Sequence, residues 1–240
     1  MTADEWLRCN DVAKMLDALS RRASERQLRL FAAAFCRQVW DMLVEGGQQE
    51  KVEAAERFAD GETIPDPTLM ADIASQAVYG ALTFRREWTH NGQKRSGSYR
   101  VERWSMSSTW TEGPTPWDEN PVAVAQYVAG LTLDAAVALS SLKTATRVRQ
   151  ARLQTNAVRC IFGPLRFRRR DFDPTLRTST VMALAGSMYA SRDFSPAPVL
   201  ADALLDAGCD DALLMGHLRG ESRHWRGCWV IDAILGLEEP

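Results

Sequence analysis

Long apolar runs are missing from this sequence. None approaches the roughly 20 residues that a bilayer-crossing helix requires, so a membrane span is not expected. A basic segment followed by an apolar one, the mark of a secretory leader, is also lacking: the chain begins Met-Thr-Ala-Asp-Glu-Trp-Leu-Arg-Cys-Asn-Asp. The expected location is therefore cytoplasmic. Cysteine is scarce, odd in number and scattered (Cys9, Cys36, Cys160, Cys209, Cys228). That pattern fits reduced thiols rather than a disulfide framework. Histidine is scarcer still, with three in 240 residues. The recurrent catalytic signatures G-x-S-x-G, H-E-x-x-H, G-x-G-x-x-G and the P-loop are absent. A strong charge of either sign is absent too. The formal net charge is −2, which argues against a generally basic nucleic-acid coat and leaves room for a local patch. No period of about 30–45 residues marks a solenoid.

What is present reads as helix. Apolar residues make up 45% and charged residues 25%, ordinary globular values that exclude wholesale disorder. Val12, Met15, Leu16 and Leu19 share one face of a short helix over 11–20. Ser24-Glu-Arg-Gln27 has the form of a capping box, and Leu28, Phe31, Phe35, Val39 and Leu43 continue from it at helical spacing, up to Gly46-Gly47. A further helix spans 48–60 and stops at Gly61, and another is predicted over 68–88.

Regular periodicity breaks over 89–120, which is rich in Gly, Ser, Thr and Trp. It reads as a long irregular loop or small insertion, with a strand or hairpin near 98–108 as its one regular option. Asn120-Pro121 restarts a helix whose seam of Val124, Val128, Leu131, Ala135, Leu139 and Leu142 runs on toward Phe162, before Gly163-Pro164. Shorter helices are predicted over 179–191, 198–207, 210–218 and 229–235. The expected fold is all-α: one helical domain over 1–240, with N-terminal helices in 1–88, the loop or insertion in 89–120, and a long helix followed by C-terminal helices in 121–240.

Two constellations carry possible chemistry. The first is Cys209-x7-His217-x6-His224-x3-Cys228. Zinc takes four Cys or His ligands tetrahedrally, and His224 and Cys228 share a face if their turn is helical. Asp232, four residues further on, stands where it could orient His224. The spacing matches no standard zinc module, so the same residues equally read as satisfied core. No cofactor is expected, with zinc as the alternative that these four residues offer. A small Cys/His enzyme built on Cys228 with His224 or His217 belongs to the same alternative.

The second constellation is basic. Between Lys143 and Arg170 lie nine Lys or Arg and no acid, among them Arg147, Arg149, Arg152, Arg166, Arg168, Arg169 and Arg170. Guanidinium groups grip phosphates and carboxylates. The run is thus a candidate surface for an acidic protein partner or for nucleic acid. The leading expectation is a non-enzymatic protein–protein interaction module; a nucleic-acid binder is the alternative from another class.

The C-terminal block contains Leu200-Ala-Asp-Ala-Leu-Leu-Asp-Ala-Gly-Cys-Asp-Asp211, then His217-Leu-Arg-Gly220, then His224-Trp-Arg-Gly-Cys-Trp-Val-Ile-Asp232. The N-terminal block contains Glu5-Trp6-Leu7, Leu28-Arg-Leu-Phe-Ala-Ala-Ala-Phe-Cys-Arg-Gln-Val-Trp40 and Ala54-Ala-Glu-Arg-Phe-Ala-Asp-Gly61. With Cys160-Ile-Phe-Gly163 and Asp173-Pro174, these segments resemble a multi-copy family of uncharacterised planctomycete bacterial proteins. The resemblance covers roughly the first 61 and the last 80 residues. It implies a common fold and assigns no catalytic or binding residue.

Overall fold

Ser24 and Gln27 close the capping box read from the sequence. The Gln27 N–H donates to Ser24 Oγ at 3.1 Å and the Ser24 N–H to Gln27 Oε1 at 3.2 Å. Two N–H groups that the first helical turn leaves without backbone partners are thereby satisfied. The computed structural model describes residues 1–19, 23–38, 40, 48–62, 82–90, 93–101, 143–164 and 172–237. Among them the helices are α1 (Ala3–Arg8), α2 (Val12–Leu19), α3 (Glu25–Gln38), α4 (Gln48–Ala59), α5 (Lys143–Phe162), α6 (Ser179–Ser191), α7 (Ala197–Asp206), α8 (Ala212–Arg219) and α9 (Trp229–Leu235), with a 3-10 turn at Pro174–Leu176. The fold class is all-α. The predicted seam over 121–142 and the ends of the helices expected near 43 and 68 lie outside the described residues.

One expectation is corrected. Of the helix predicted over 68–88, residues 68–81 lie outside the described ones, and 82–88 belong instead to an antiparallel hairpin of β1 (Leu82–His90) and β2 (Gln93–Val101). Its register pairs Leu82 with Val101, Phe84 with Tyr99 and His90 with Gln93. The reason lies in the sequence. Leu82, Phe84 and Trp88 fall on a period of two, and only Asn91-Gly92, the pair most favoured in tight hairpin turns, separates the two strands. Residues 89–90 and 93–101 of the supposed loop are therefore strand, and the strand expected near 98–108 is described as far as Val101.

The buried centre is built by α3. Leu28, Phe31 and Phe35 are all within 1% of complete burial, and α3 packs against α4 on one side and α5 on the other. Phe31 stands edge-on to Phe35 at 4.3 Å between centroids and to Phe162 of α5 at 5.7 Å. Each such aromatic side chain contributes large apolar area. The C-terminal helices close onto this centre, with α9 packing on α6 and α5, and α7 on α6 and α8. Local signals set their limits. Thr178 Oγ1 accepts the Val181 N–H to begin α6, Asp211 Oδ1 accepts from Leu213 and Leu214 to begin α8, and Gly236 ends α9 at φ +71°.

Gly163 is where α5 stops, and it is the tightest glycine of the fold's described part. Its φ is +54°, and a Cβ placed there would lie 2.6 Å from Cγ of the Trp229 indole. A rigid ring cannot yield as a flexible side chain does. Gly163→Ala is therefore expected to destabilise the chain by about 2–4 kcal/mol, the sum of left-handed backbone strain and overpacking. Denaturant unfolding of the two proteins checks this.

Candidate metal centre

Three elements bring four ligand-type side chains together. α5 supplies Cys160 from its last turn and α8 supplies His217 from its last turn. His224 and Cys228 come from the turn that leads into α9. One ligand atom from each of Cys160, His217, His224 and Cys228 lies within 4.8 Å of the other three. His217 Nε2 is 3.2 Å from Cys228 Sγ, His224 Nδ1 is 3.7 Å from the same sulfur, and Cys160 Sγ is 3.9 Å from His224 Nδ1. A tetrahedral zinc ion, with Zn–S near 2.3 Å and Zn–N near 2.0 Å, sets neighbouring ligand atoms about 3.3–3.8 Å apart. The cluster is close to that size.

The local sequence explains why these atoms converge. Gly227, at φ +87°, turns the backbone just ahead of Cys228, and Leu30 sits so close that an added Cβ would meet it at 2.9 Å. The Cys228 N–H closes the turn on the Trp225 carbonyl at 2.9 Å. The His217 ring stands edge-on to His224 at 4.8 Å and tilted against Trp229 at 5.5 Å, so both imidazoles are held by rings rather than by solvent.

Cys160 and Cys228 are both buried. Burial pushes the Cys160 thiol well above its ordinary range, and the neighbouring Cys228 pushes it further. Burial also opposes ionisation of Cys228, but the Cys160 thiol and the two imidazoles outweigh it and hold Cys228 well below the ordinary value. A soft divalent cation bound here would displace the Cys160 thiol proton and meet an acidified Cys228 and two imidazole nitrogens.

The structure changes the membership expected from sequence. His217, His224 and Cys228 come together as predicted, but Cys209 does not join them. It is buried after the end of α7, where its N–H donates to the Leu204 carbonyl at 2.9 Å, and the remaining position belongs to Cys160. The spacing argument could not find Cys160, which lies 64 residues before His224. Asp232 also differs from expectation. Its Oδ2 accepts from Arg26 Nη1 at 2.6 Å instead of turning to His224, whose Nε2 is buried without a partner.

Arg26 is the functional-looking residue that sequence reasoning missed. Though charged, it is 8% exposed. It joins Asp232 to Asp60, whose Oδ1 accepts from Arg26 Nη2 at 2.8 Å and from the Tyr189 hydroxyl at 2.5 Å. Arg226 completes the group by donating to Asp60 Oδ2 at 2.9 Å from Nε. Burial raises the Asp232 carboxyl to about 6 against the pull of Arg26, with Cys228 and Asp60 adding to the rise. The ion network thus abuts the thiol–imidazole cluster through α9.

The arginine run divides. Arg149 and Arg152 are exposed on α5. Arg159 is turned inward, donating to the Cys9 and Trp6 carbonyls at 2.5 and 3.3 Å. The side chain of Arg147 and the whole of Arg166, Arg168, Arg169 and Arg170 lie outside the described residues. No described helix is long and apolar enough to cross a membrane.

Fold and site together define a class: a mainly helical chain with a largely buried two-cysteine, two-histidine cluster that joins α8 and the start of α9 to the end of α5. The chain matches no family model, no curated protein and no solved structure.

Proposed function

We propose that this chain is a non-enzymatic zinc protein, in which one Zn2+ bound by Cys160, His217, His224 and Cys228 fastens α8 and α9 to α5. The observation that carries the reading is the convergence of four ligand atoms within 4.8 Å from three separate elements. Two sulfurs and two imidazole nitrogens within that distance of one another are a zinc donor set. Four protein ligands leave no position for water or substrate, which makes the metal structural rather than catalytic.

The segments that carry the planctomycete resemblance hold all four of these residues: Cys160-Ile-Phe-Gly163, His217-Leu-Arg-Gly220 and His224-Trp-Arg-Gly-Cys228. The partner readings rest on Arg149 and Arg152 alone among the described arginines of the run, and two exposed cations do not distinguish a partner from solvent.

The test is elemental analysis of the chain purified without added metal, paired with thermal unfolding in the presence and absence of a strong chelator. Zinc near one equivalent per chain is expected, with a chelator-dependent drop in Tm of roughly 10 °C or more, because binding to the folded state alone adds directly to stability. Metal-free protein whose Tm ignores both chelator and added zinc sinks the reading.

A further inference from the structure

Beside the cluster, on the outer side of His224, runs a cleft that the metal reading does not use. Its open part is a cavity of about 380 Å3, and a narrower one of about 40 Å3 continues it. Arg192, Phe194, Arg223 and His224 line both. We propose that this cleft binds a small oxyanion, the phosphate or carboxylate group of a metabolite, through Arg223, Arg192 and the N–H groups of His224 and Trp225.

Two observations point to a ligand. The first is a pair of orphan donors. His224 Nδ1 faces the Cys228 and Cys160 sulfurs; with Nδ1 given to the metal, as the proposed function has it, the ring's one N–H sits on Nε2, on the other side. That nitrogen is buried and without a partner, as is Trp225 Nε1, in residues only 6% and 4% exposed. Buried donors left unmatched are costly and uncommon, and here two adjacent residues that line the narrow part of the cleft supply them.

The second observation is the charge of that wall. Arg223 lies over the Trp225 ring at 4.3 Å and is paired with no carboxylate among the described residues. Glu56, the carboxylate of the inner part, is shared: it accepts from Arg37 at 2.9 Å and from Arg192 Nη2 at 2.7 Å. Arg226 is taken by Asp60. Asp193, at the rim, is exposed, and its Oδ1 accepts the Ser195 N–H at 2.9 Å. The inner wall therefore presents more guanidinium than carboxylate, together with N–H donors. An oxyanion satisfies both deficits, and guanidinium groups match its geometry.

The experiment is calorimetric titration of the full chain with inorganic phosphate and, separately, with acetate at matched ionic strength, with zinc content measured on the same samples. Saturable binding of at least one anion is expected. Arg223→Gln, a change at an exposed side chain, should weaken it about tenfold or more, while Arg219→Gln, outside the cleft, should not. Absence of saturable binding by both anions overturns the proposal and leaves the orphan donors to buried water. Binding that survives Arg223→Gln unchanged overturns it as well. A zinc-free chain that still binds through Arg223 supports the cleft and sinks only the metal reading.

Discussion

Cys160→Ser should strip the protein of zinc and cost it roughly 3 kcal/mol or more of stability. Structural zinc sites contribute apparent binding free energies of about 10–16 kcal/mol at neutral pH in small peptides, and that binding energy is folding energy. A serine hydroxyl in place of a thiolate forfeits a large part of it. Cys160 is the decisive position because its role follows from the fold rather than from any spacing: it projects from the end of α5 toward a turn 64 residues away. Cys209→Ala is the matched comparison. Cys209 is also buried, at 5% exposure, and lies nearer in sequence to His217. Its loss should leave zinc content unchanged and cost about 1 kcal/mol, as for a small core truncation. Zinc content and denaturant unfolding of the two variants separate the cluster seen here from the Cys209 set that spacing predicts.

Arg26→Met should destabilise the folded chain by about 3–5 kcal/mol, because removing one partner of a buried ion pair strands the others. Asp232 would lose its 2.6 Å partner, and Asp60 would retain only Arg226 and the Tyr189 hydroxyl. Arg26→Met combined with Asp232→Asn should recover part of the loss, and the non-additivity measures the coupling between the two residues.

The pH dependence has a definite sign. The folded-state value of Asp232, about 6, lies above the ordinary 3.8. Its contribution is therefore fully present below about pH 4 and is lost as pH rises through about 6. With Arg26 gone the carboxyl rises further, so the gap between wild type and Arg26→Met should stay level from about pH 4 to pH 6 and widen above it, toward pH 8. Urea unfolding across that range, with zinc kept saturating, is the measurement. A gap that narrows with rising pH contradicts the assignment.

Much of the fold was legible because its signals are local. The Ser24–Gln27 box, Thr178 ahead of α6, Gly61 at the end of α4 and Gly236 at the end of α9 all act within a turn of the chain, and each occurs where its residue type requires. The hairpin is hidden from a helical window over 68–88 because apolar spacing there outweighs the period of two in Leu82-Thr-Phe84. Of the candidate site, His217, His224 and Cys228 lie within one short stretch and were found together. Cys160 and Arg26 were not, for one reason: their partners are set by packing across the chain. Arg26 meets Asp232 at a separation of 206 residues, and no periodicity of α3 marks one of its arginines as buried. In the absence of the fold, Cys160 was one scattered thiol among five.

X-ray absorption at the zinc edge of the purified, reduced chain reads the ligand shell itself. The account predicts two sulfur scatterers at about 2.3 Å and two imidazole nitrogens at about 2.0 Å, with one sulfur lost in Cys160→Ser supplied with excess zinc. A shell of nitrogen and oxygen alone, or a two-sulfur shell that survives Cys160→Ser, would contradict it.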